Sequence, residues 1–428
     1  MKNILLSFLL LIFLASCSNN SYVNAIPGDA TALMQLNTPK AFLNYKGVDV
    51  SSDVYLFEDA EGNVGACLRV SDDDALTDYL NTLAKKGTCE KVFERRGFHF
   101  SLLSNGFLAG YSDESLVILG PIVETAKAET VNKMAKMLKQ DEDDGIQSSR
   151  IYEALDTLDG PVKIVARVDA LPQQFVTPFM LGAPKQADAS QVYLSAKMTS
   201  SKGLLRMEGH TFSFNKDIDQ ALQASASIYR PIKGAYTQSM PAEAMLGMFL
   251  NVDGERFINV MRDNKGLQAM LAGINRALDM DNIIKSVNGD MAIVIPEWSE
   301  DKIDLSMAAK LKHAHWLNDV SYWKTSTPSG STITDWQKDA YCYTDGKTTF
   351  YFGVSPDMQF YSGGSKEAAL NSIKPTAGSL SSDMQEAIRG QRLAMIVNLG
   401  MLSGKQGTVV QMLRPVFGNA DKILFLLK

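Results

Sequence analysis

The chain has 428 residues, 42 Lys and Arg against 48 Asp and Glu, a formal charge of −6, and 45% hydrophobic residues. Those values suit one large or two medium cores and exclude collagen-like, coiled-coil and wholly disordered chains. A mildly acidic balance with no basic block also excludes nucleic acid, whose phosphates demand clustered Lys and Arg.

At the N-terminus, Lys2 precedes an apolar run from Ile4 to Leu14, and small residues then lead to Cys17. The run is short for a bilayer span and stands where a secretory signal stands. Leu14, Ala15, Ser16 and Cys17 resemble the lipobox of bacterial lipoproteins. By that resemblance residues 1–16 are a signal peptide and residues 17–25 an anchor and short tether. Cys17 is then the lipid attachment site, with diacylglycerol on its sulfur and an acyl chain such as palmitate on its freed amine. Multiple chains anchor stably, since each buried CH₂ contributes about 0.8 kcal/mol. Ser18 follows the cysteine, where aspartate would resemble an inner-membrane retention signal. No acidic cluster resembling a surface-export signal follows either. The expected location is the outer membrane, facing the periplasm, with the lipid anchor as the membrane contact.

The body opens with a hairpin over residues 53–58 and 63–70, whose loop holds Asp59 and Gly62. Leu76, Tyr79, Leu80 and Leu83 recur at helical spacing, with Gly87 at the C-terminal cap position. Residues 99–103 and 107–111 bracket Asn105 and Gly106, a pair that accepts the positive φ of a tight turn. A strand over 115–119 follows. Pro121 then opens a helix with Val131, Met134, Ala135 and Leu138 on one stripe, and Lys127, Lys133, Lys136 and Lys139 toward water. A short helix over 151–158 leads to a strand over 162–168. Residues 191–197 and 204–214 read as further strands, and 215–238 as a linker.

Residues 26–37 line up with 240–251, residues 98–126 with 341–369, and residues 164–168 with 395–399. Pro27 matches Pro241, Asn37 matches Asn251, and Gly110 matches Gly353. Collinear matches with drifting offsets suggest a duplicated unit. The expectation is α+β: two tandem related domains, 26–232 and 233–428, with mainly antiparallel sheets and helices packed on one face. The second copy either lacks its last strand or pairs residues 424–427 into a sheet.

Cys17 followed by Val23, Asn24 and Ala25, and then by Ile26, Pro27, Asp29, Ala30 and Ala32, resembles a family of uncharacterised Bacteroidetes lipoproteins of unknown function. The resemblance implies an envelope lipoprotein with an α+β body over nearly the whole chain, and supplies no active site. The second copy departs mildly, with Glu243 in the place of Asp29.

Candidate chemistry is sparse. His313 and His315 share a face if they lie on a strand and are the weak metal candidates; on a helix they diverge. Ser299 and Lys302 have the S-x-x-K spacing of serine acylases without its companion motifs, which favours a charged loop. Residues 400–406 approach a P-loop, but the spacing is short and Gln406 replaces the Mg²⁺-binding hydroxyl. Asp72, Asp73 and Asp74 suit a helix cap, and Asp141, Glu142, Asp143 and Asp144 a solvated linker, ahead of calcium. Cys67 and Cys89 flank one helix and are candidates for a disulfide, while Cys342 has no evident partner. Eight of the 20 methionines fall between Met240 and Met307, most in helical or strand stripes that suit a core.

No catalytic residue and no cofactor emerge. The expected function is a non-catalytic binding or envelope-assembly module with an envelope protein partner. The alternatives are a periplasmic hydrolase with a dispersed active site and a carrier of apolar ligands.

Overall fold

The turn signals of the first half become hairpins in the computed structural model, which describes residues 20–37, 46–201, 203–269, 278–297, 305–401 and 420–427. The chain divides into two compact units, Met1–Val165 and Ala166–Lys428. Each is mixed α/β, built on a mainly antiparallel sheet.

The strands of the first unit are β1 (Ala32–Leu36), β2 (Val54–Glu58), β3 (Val64–Arg69), β4 (Phe93–Arg95), β5 (Phe98–Leu102), β6 (Leu108–Tyr111), β7 (Ser115–Gly120) and β8 (Val162–Arg167). They pair in the order β8–β1–β2–β3–β7–β6–β5–β4. Asp59 closes the β2–β3 loop by accepting the backbone N–H groups of Glu61 at 3.0 Å and Asn63 at 2.8 Å. Gly106 takes φ +80° in the β5–β6 turn, a conformation that costs glycine little.

Helix α1 (Asp73–Lys85) begins at Asp72, whose carboxylate accepts the Ala75 N–H at 2.9 Å. Leu76 and Leu80 bury its apolar face. Helix α2 (Lys127–Met137) starts later than its sequence suggests, after a 3₁₀ turn at Glu124–Ala126. The Ile122 N–H is held by the Gly106 carbonyl at 2.8 Å, so the residues after Pro121 serve the neighbouring turn. Lys133 also departs from the wet face, because buried Asp59 lies within its reach. Helix α3 (Arg150–Asp156) is capped by Ser149.

The second unit starts with α4 (Gln173–Phe179), β9 (Tyr193–Ser201), β10 (Leu204–Phe212) and α5 (Lys216–Ala226). Helix α5 occupies the expected linker: Asn215 caps it through the N–H groups of Asp217 and Ile218, and Ile218, Leu222 and Ser225 are buried. There follow β11 (Leu246–Asp253), α6 (Gly254–Asp263), α7 (Met280–Lys285), β12 (Val287–Ile295), β13 (Ser306–Leu311), α8 (Val320–Ser326), β14 (Thr332–Gln337), β15 (Ala340–Thr344), β16 (Thr349–Val354) and β17 (Gln359–Gly363). Helices α9 (Lys366–Asn371) and α10 (Ser382–Ile388) precede β18 (Leu393–Asn398) and β19 (Lys422–Leu427).

Strand β9 pairs with β10, and the order continues β10–β19–β18–β11–β12–β13–β17–β16–β15–β14. From β18 to β14 this order matches that from β8 to β4. The aligned segments fall on matching strands: Ala32 and Leu246 begin β1 and β11, and Val162 and Leu393 begin β8 and β18. The region near residue 232, ahead of the point where the sequence match resumes at Met240, lies inside the second unit. Strands β9 and β10 precede that point, yet β10 bonds to β19, in parallel.

Strands β11 and β18 are buried along almost their whole length, as their continuous apolar runs require. Phe249, Met240, Ile396, Leu424 and Leu426 share one core cluster. The buried Asn251 amide donates to Asp290 at 2.9 Å and to the Pro231 carbonyl at 3.1 Å. Asp290 in turn accepts the Lys233 and Ala235 N–H groups. This pairing uses the Asn251 N–H groups and the Asp290 carboxylate and fixes the segment after α5 against β11 and β12.

Candidate functional site

Within the second unit, α4 and α5 cover one end of the strands β10, β19 and β18 and leave a cavity of about 320 Å³. Strand periodicity builds its floor. Register places Met207, Phe425 and Met395 level on the three strands, and Gly209, Leu427 and Leu393 level one step on. Residues two apart share a face, so Thr211, Leu393, Met395, Phe425 and Leu427 line the same side. The roof is Pro178, Phe179 and Leu181 from α4 and its exit, and Leu222, Ser225 and Tyr229 from α5 and its exit.

Phe179 stands edge to face on Phe425, with ring centroids 4.9 Å apart. Tyr229 is held by the Arg230 N–H donating to the Asn251 carbonyl at 2.8 Å, and by an edge contact with Phe257. Gly182 sits at φ +89°, and a Cβ there would lie 2.4 Å from Ser225 Oγ. Glycine thus permits both the turn after α4 and its approach to α5.

The hydroxyl oxygens of Ser225 and Tyr229 are buried and neighbour each other. Burial pushes the Tyr229 hydroxyl up to about 12, offset in part by the neighbouring Ser225 hydroxyl. Tyr229 therefore remains a proton donor throughout the physiological range. His210 and Arg392 are exposed at the rim. Among the described residues no carboxylate or thiol lines the cavity. Chemically the site offers apolar contact beside the polar side chains of Thr211, Gln223, His210 and Arg392. Its volume lies at the small end of ligand pockets, roughly 300–1,000 Å³.

The sequence-derived candidates lie elsewhere. His313 follows the end of β13 and His315 opens a 3₁₀ turn, so neither belongs to a strand. Their rings stack, 4.1 Å apart and 8° from parallel. A metal lies in the plane of each imidazole that binds it, at about 2.0–2.1 Å for zinc, and two stacked planes do not share such a point. Burial, His315 and Lys312 hold His313 below the usual histidine range. Among the described residues no group of three His, Cys, Asp or Glu could hold a metal ion.

Cys67 and Cys89 are separate free thiols rather than a bridge. Cys67 donates to the Tyr22 carbonyl at 3.4 Å and Cys89 to the Leu80 carbonyl at 3.3 Å, which turns each sulfur into its own pocket. Asp72 caps α1, and the run from Asp141 to Asp144 is exposed. Cys17, Ser299, Lys302, Lys405 and Gln406 lie outside the described residues. Ser225 and Tyr229 escaped the sequence reading, although Ile218, Leu222, Ser225 and Tyr229 follow one helical stripe inside the presumed linker.

The profile of a domain of unknown function, DUF4836, matches residues 22–387. The chain belongs to the DUF4836 family. No curated protein matches it. One solved structure, described as crystal form IV of TP0453, is similar at a TM-score of 0.26 and 10% identity over 41% of this chain. The chain spans 66% of that protein. Among the described residues no helix is long and apolar enough to cross a membrane.

Proposed function

We propose that this DUF4836 protein is a lipid-anchored, non-catalytic binding module of the bacterial envelope, with the cavity of the second unit as its ligand site. The observation that carries the reading is the wall of the cleft, which has Phe179, Leu181, Leu222, Leu393, Met395, Phe425 and Leu427 between sheet and helices. An enzyme of the hydrolase kind needs converging acid, base and nucleophile. Here Ser225 is the sole alcohol nucleophile in the roof besides Tyr229, and no described base reaches it. A cleft with a mainly apolar wall instead supports the carrier alternative, a binder of apolar ligands.

The anchor rests on the sequence: Leu14 to Cys17 as lipobox, Cys17 as lipidated residue, and Ser18 favouring the periplasmic face of the outer membrane in a Bacteroidetes-type envelope. The matched strand orders support descent of the body from two copies of one α+β repeat. An envelope protein partner that delivers or receives the ligand belongs to the same proposal.

Two measurements test it. Cys17→Ala is expected to move the protein from the membrane fraction to the soluble fraction; unchanged membrane association sinks the anchor. Solvent extraction of the purified protein, followed by mass spectrometry, is expected to release an apolar compound that Leu222→Trp excludes. Equal recovery from the wild type and Leu222→Trp removes the cavity as the site.

A further inference from the structure

Where the chain enters the first unit fixes which end of that unit meets the membrane, an inference that rests on the Cys17 anchor just proposed. The tether is shorter than residues 17–25 suggest. Ser21–Ala25 form a 3₁₀ helix in which Tyr22, Val23, Asn24 and Ala25 are buried. The Tyr22 hydroxyl donates to the Asp53 carbonyl at 2.7 Å, and the Tyr22 carbonyl accepts from the Ser115 hydroxyl at 3.0 Å. Ser21 donates to the Glu114 carboxylate. Only Ser18, Asn19 and Asn20 separate Cys17 from this packed segment. At about 3.3–3.6 Å per extended residue, Ser21 lies within roughly 14 Å of Cys17.

Strand register identifies the end of the sheet at which Ser21 is held. Arg69 pairs with Ser115, Tyr111 with His99, and Arg95 with Phe98. The β6–β7 turn, which contains Glu114, therefore stands at the same end as the β4–β5 turn. The pairs Glu58 with Val64 and Leu102 with Leu108 place the β2–β3 loop and the β5–β6 turn at the opposite end. Neighbouring strands lie about 4.8 Å apart, so the β6–β7 and β4–β5 turns stand roughly 10 Å apart. Arg96 at φ +55° and Gly97 at φ +80° make the tip of the β4–β5 hairpin. Arg95 and Arg96 are exposed and make no ion pair among the described residues. Asp72 and Asp113 are exposed at the same end, so the surface is mixed in charge and the short tether, not net attraction, brings it to the bilayer.

We propose that the first unit rests on the bilayer by this end, with the β4–β5 and β6–β7 turns against the phospholipid headgroups and the Arg95 and Arg96 guanidiniums on lipid phosphates. A guanidinium binds phosphate through two parallel N–H donors, and these two have no carboxylate to give up first. Ala60 and Ser104, in the loops of the opposite end, point away from the membrane surface.

The test uses the lipidated full chain carrying Cys342→Ser, reconstituted in vesicles of phosphatidylethanolamine and phosphatidylglycerol that contain a lipid with a nitroxide headgroup. Cys67 and Cys89 are buried, so a bimane label reaches only an introduced thiol. Arg96→Cys and Asp113→Cys sample the proposed contact, and Ala60→Cys and Ser104→Cys the far end. All four sites are exposed, and circular dichroism confirms folding. The expected result is loss of fluorescence at positions 96 and 113 and none at 60 and 104. With the label at position 113, Arg95→Gln combined with Arg96→Gln should weaken the quenching; unchanged quenching removes the guanidinium–phosphate contact. Equal quenching at both ends, stronger quenching at 60 or 104, or none at any position in vesicle-bound protein overturns the orientation and leaves the anchor standing. Absence of the protein from the vesicle fraction overturns the anchor, and the orientation falls with it.

Discussion

Lys133 Nζ lies 2.7 Å from the carboxylate of Asp59, which is 2% exposed at its side chain. Burial by itself would raise the Asp59 pKa, but hydrogen bonds from Lys133 and Asn63 override it and hold the group below the ordinary carboxylate range. A carboxyl with a depressed folded pKa contributes stability above its unfolded value near 3.8, and that contribution disappears as pH falls through the folded value. Lys133→Met should cost about 2–3 kcal/mol at neutral pH, below the range for wholly buried pairs because the ammonium keeps access to water. Urea titrations at pH 7 and below pH 3 check this: the deficit of Lys133→Met should shrink in acid. A constant deficit would assign the effect to packing of the Lys133 alkyl chain.

Phe179 and Phe425 should behave as a coupled pair. Each Phe→Ala substitution is expected to cost about 3–5 kcal/mol by cavity creation. A double-mutant cycle should return a coupling of about 0.5–1.5 kcal/mol for the edge-to-face contact. Additive losses would mean that α4 and β19 are stabilised independently.

Cys67 and Cys89 are both buried, and burial pushes the Cys67 thiol well above the ordinary thiol range. Iodoacetamide should therefore leave both unmodified in the native protein and alkylate both after denaturation without reductant. Cys342 is partly exposed and should react first. A mass two hydrogens lower, with neither thiol modified after denaturation, would establish a disulfide in place of the two thiol contacts.

Gly182→Ala should destabilise the second unit by about 1–2 kcal/mol, because alanine disfavours the left-handed region and its Cβ meets Ser225 Oγ. Gly182→Ala combined with Ser225→Gly should recover the steric part only. Thermal melts of the single and double variants separate the two contributions.

Legibility followed locality. Asn105 with Gly106, Asp59 with Gly62, and Asp72 ahead of Leu76 each encode their turn or cap within a few residues, and each forms as read. Residues 424–427 also join a sheet, as their unbroken apolar run suggests. Pro121 misled: the Ile122 N–H is bound to the Gly106 carbonyl, and a 3₁₀ turn at Glu124–Ala126 precedes α2. The polar composition of 215–238 concealed α5, whose Ile218, Leu222, Ser225 and Tyr229 mark one face only when read at helical spacing. The cavity itself was not legible. It depends on β19 lying between β10 and β18, and nothing local in residues 422–427 names either neighbour.

That placement of β19 governs when the site comes into being. A chain that emerges from the ribosome, or from a translocation pore, delivers β10, α5 and β18 well before Phe425 and Leu427. Until β19 slides between its two neighbours, β10 and β18 lack a partner on the edges that face it and the roof covers no complete floor. The cavity thus forms only once β19 has been synthesised and inserted, whatever the order in which the helices above it fold.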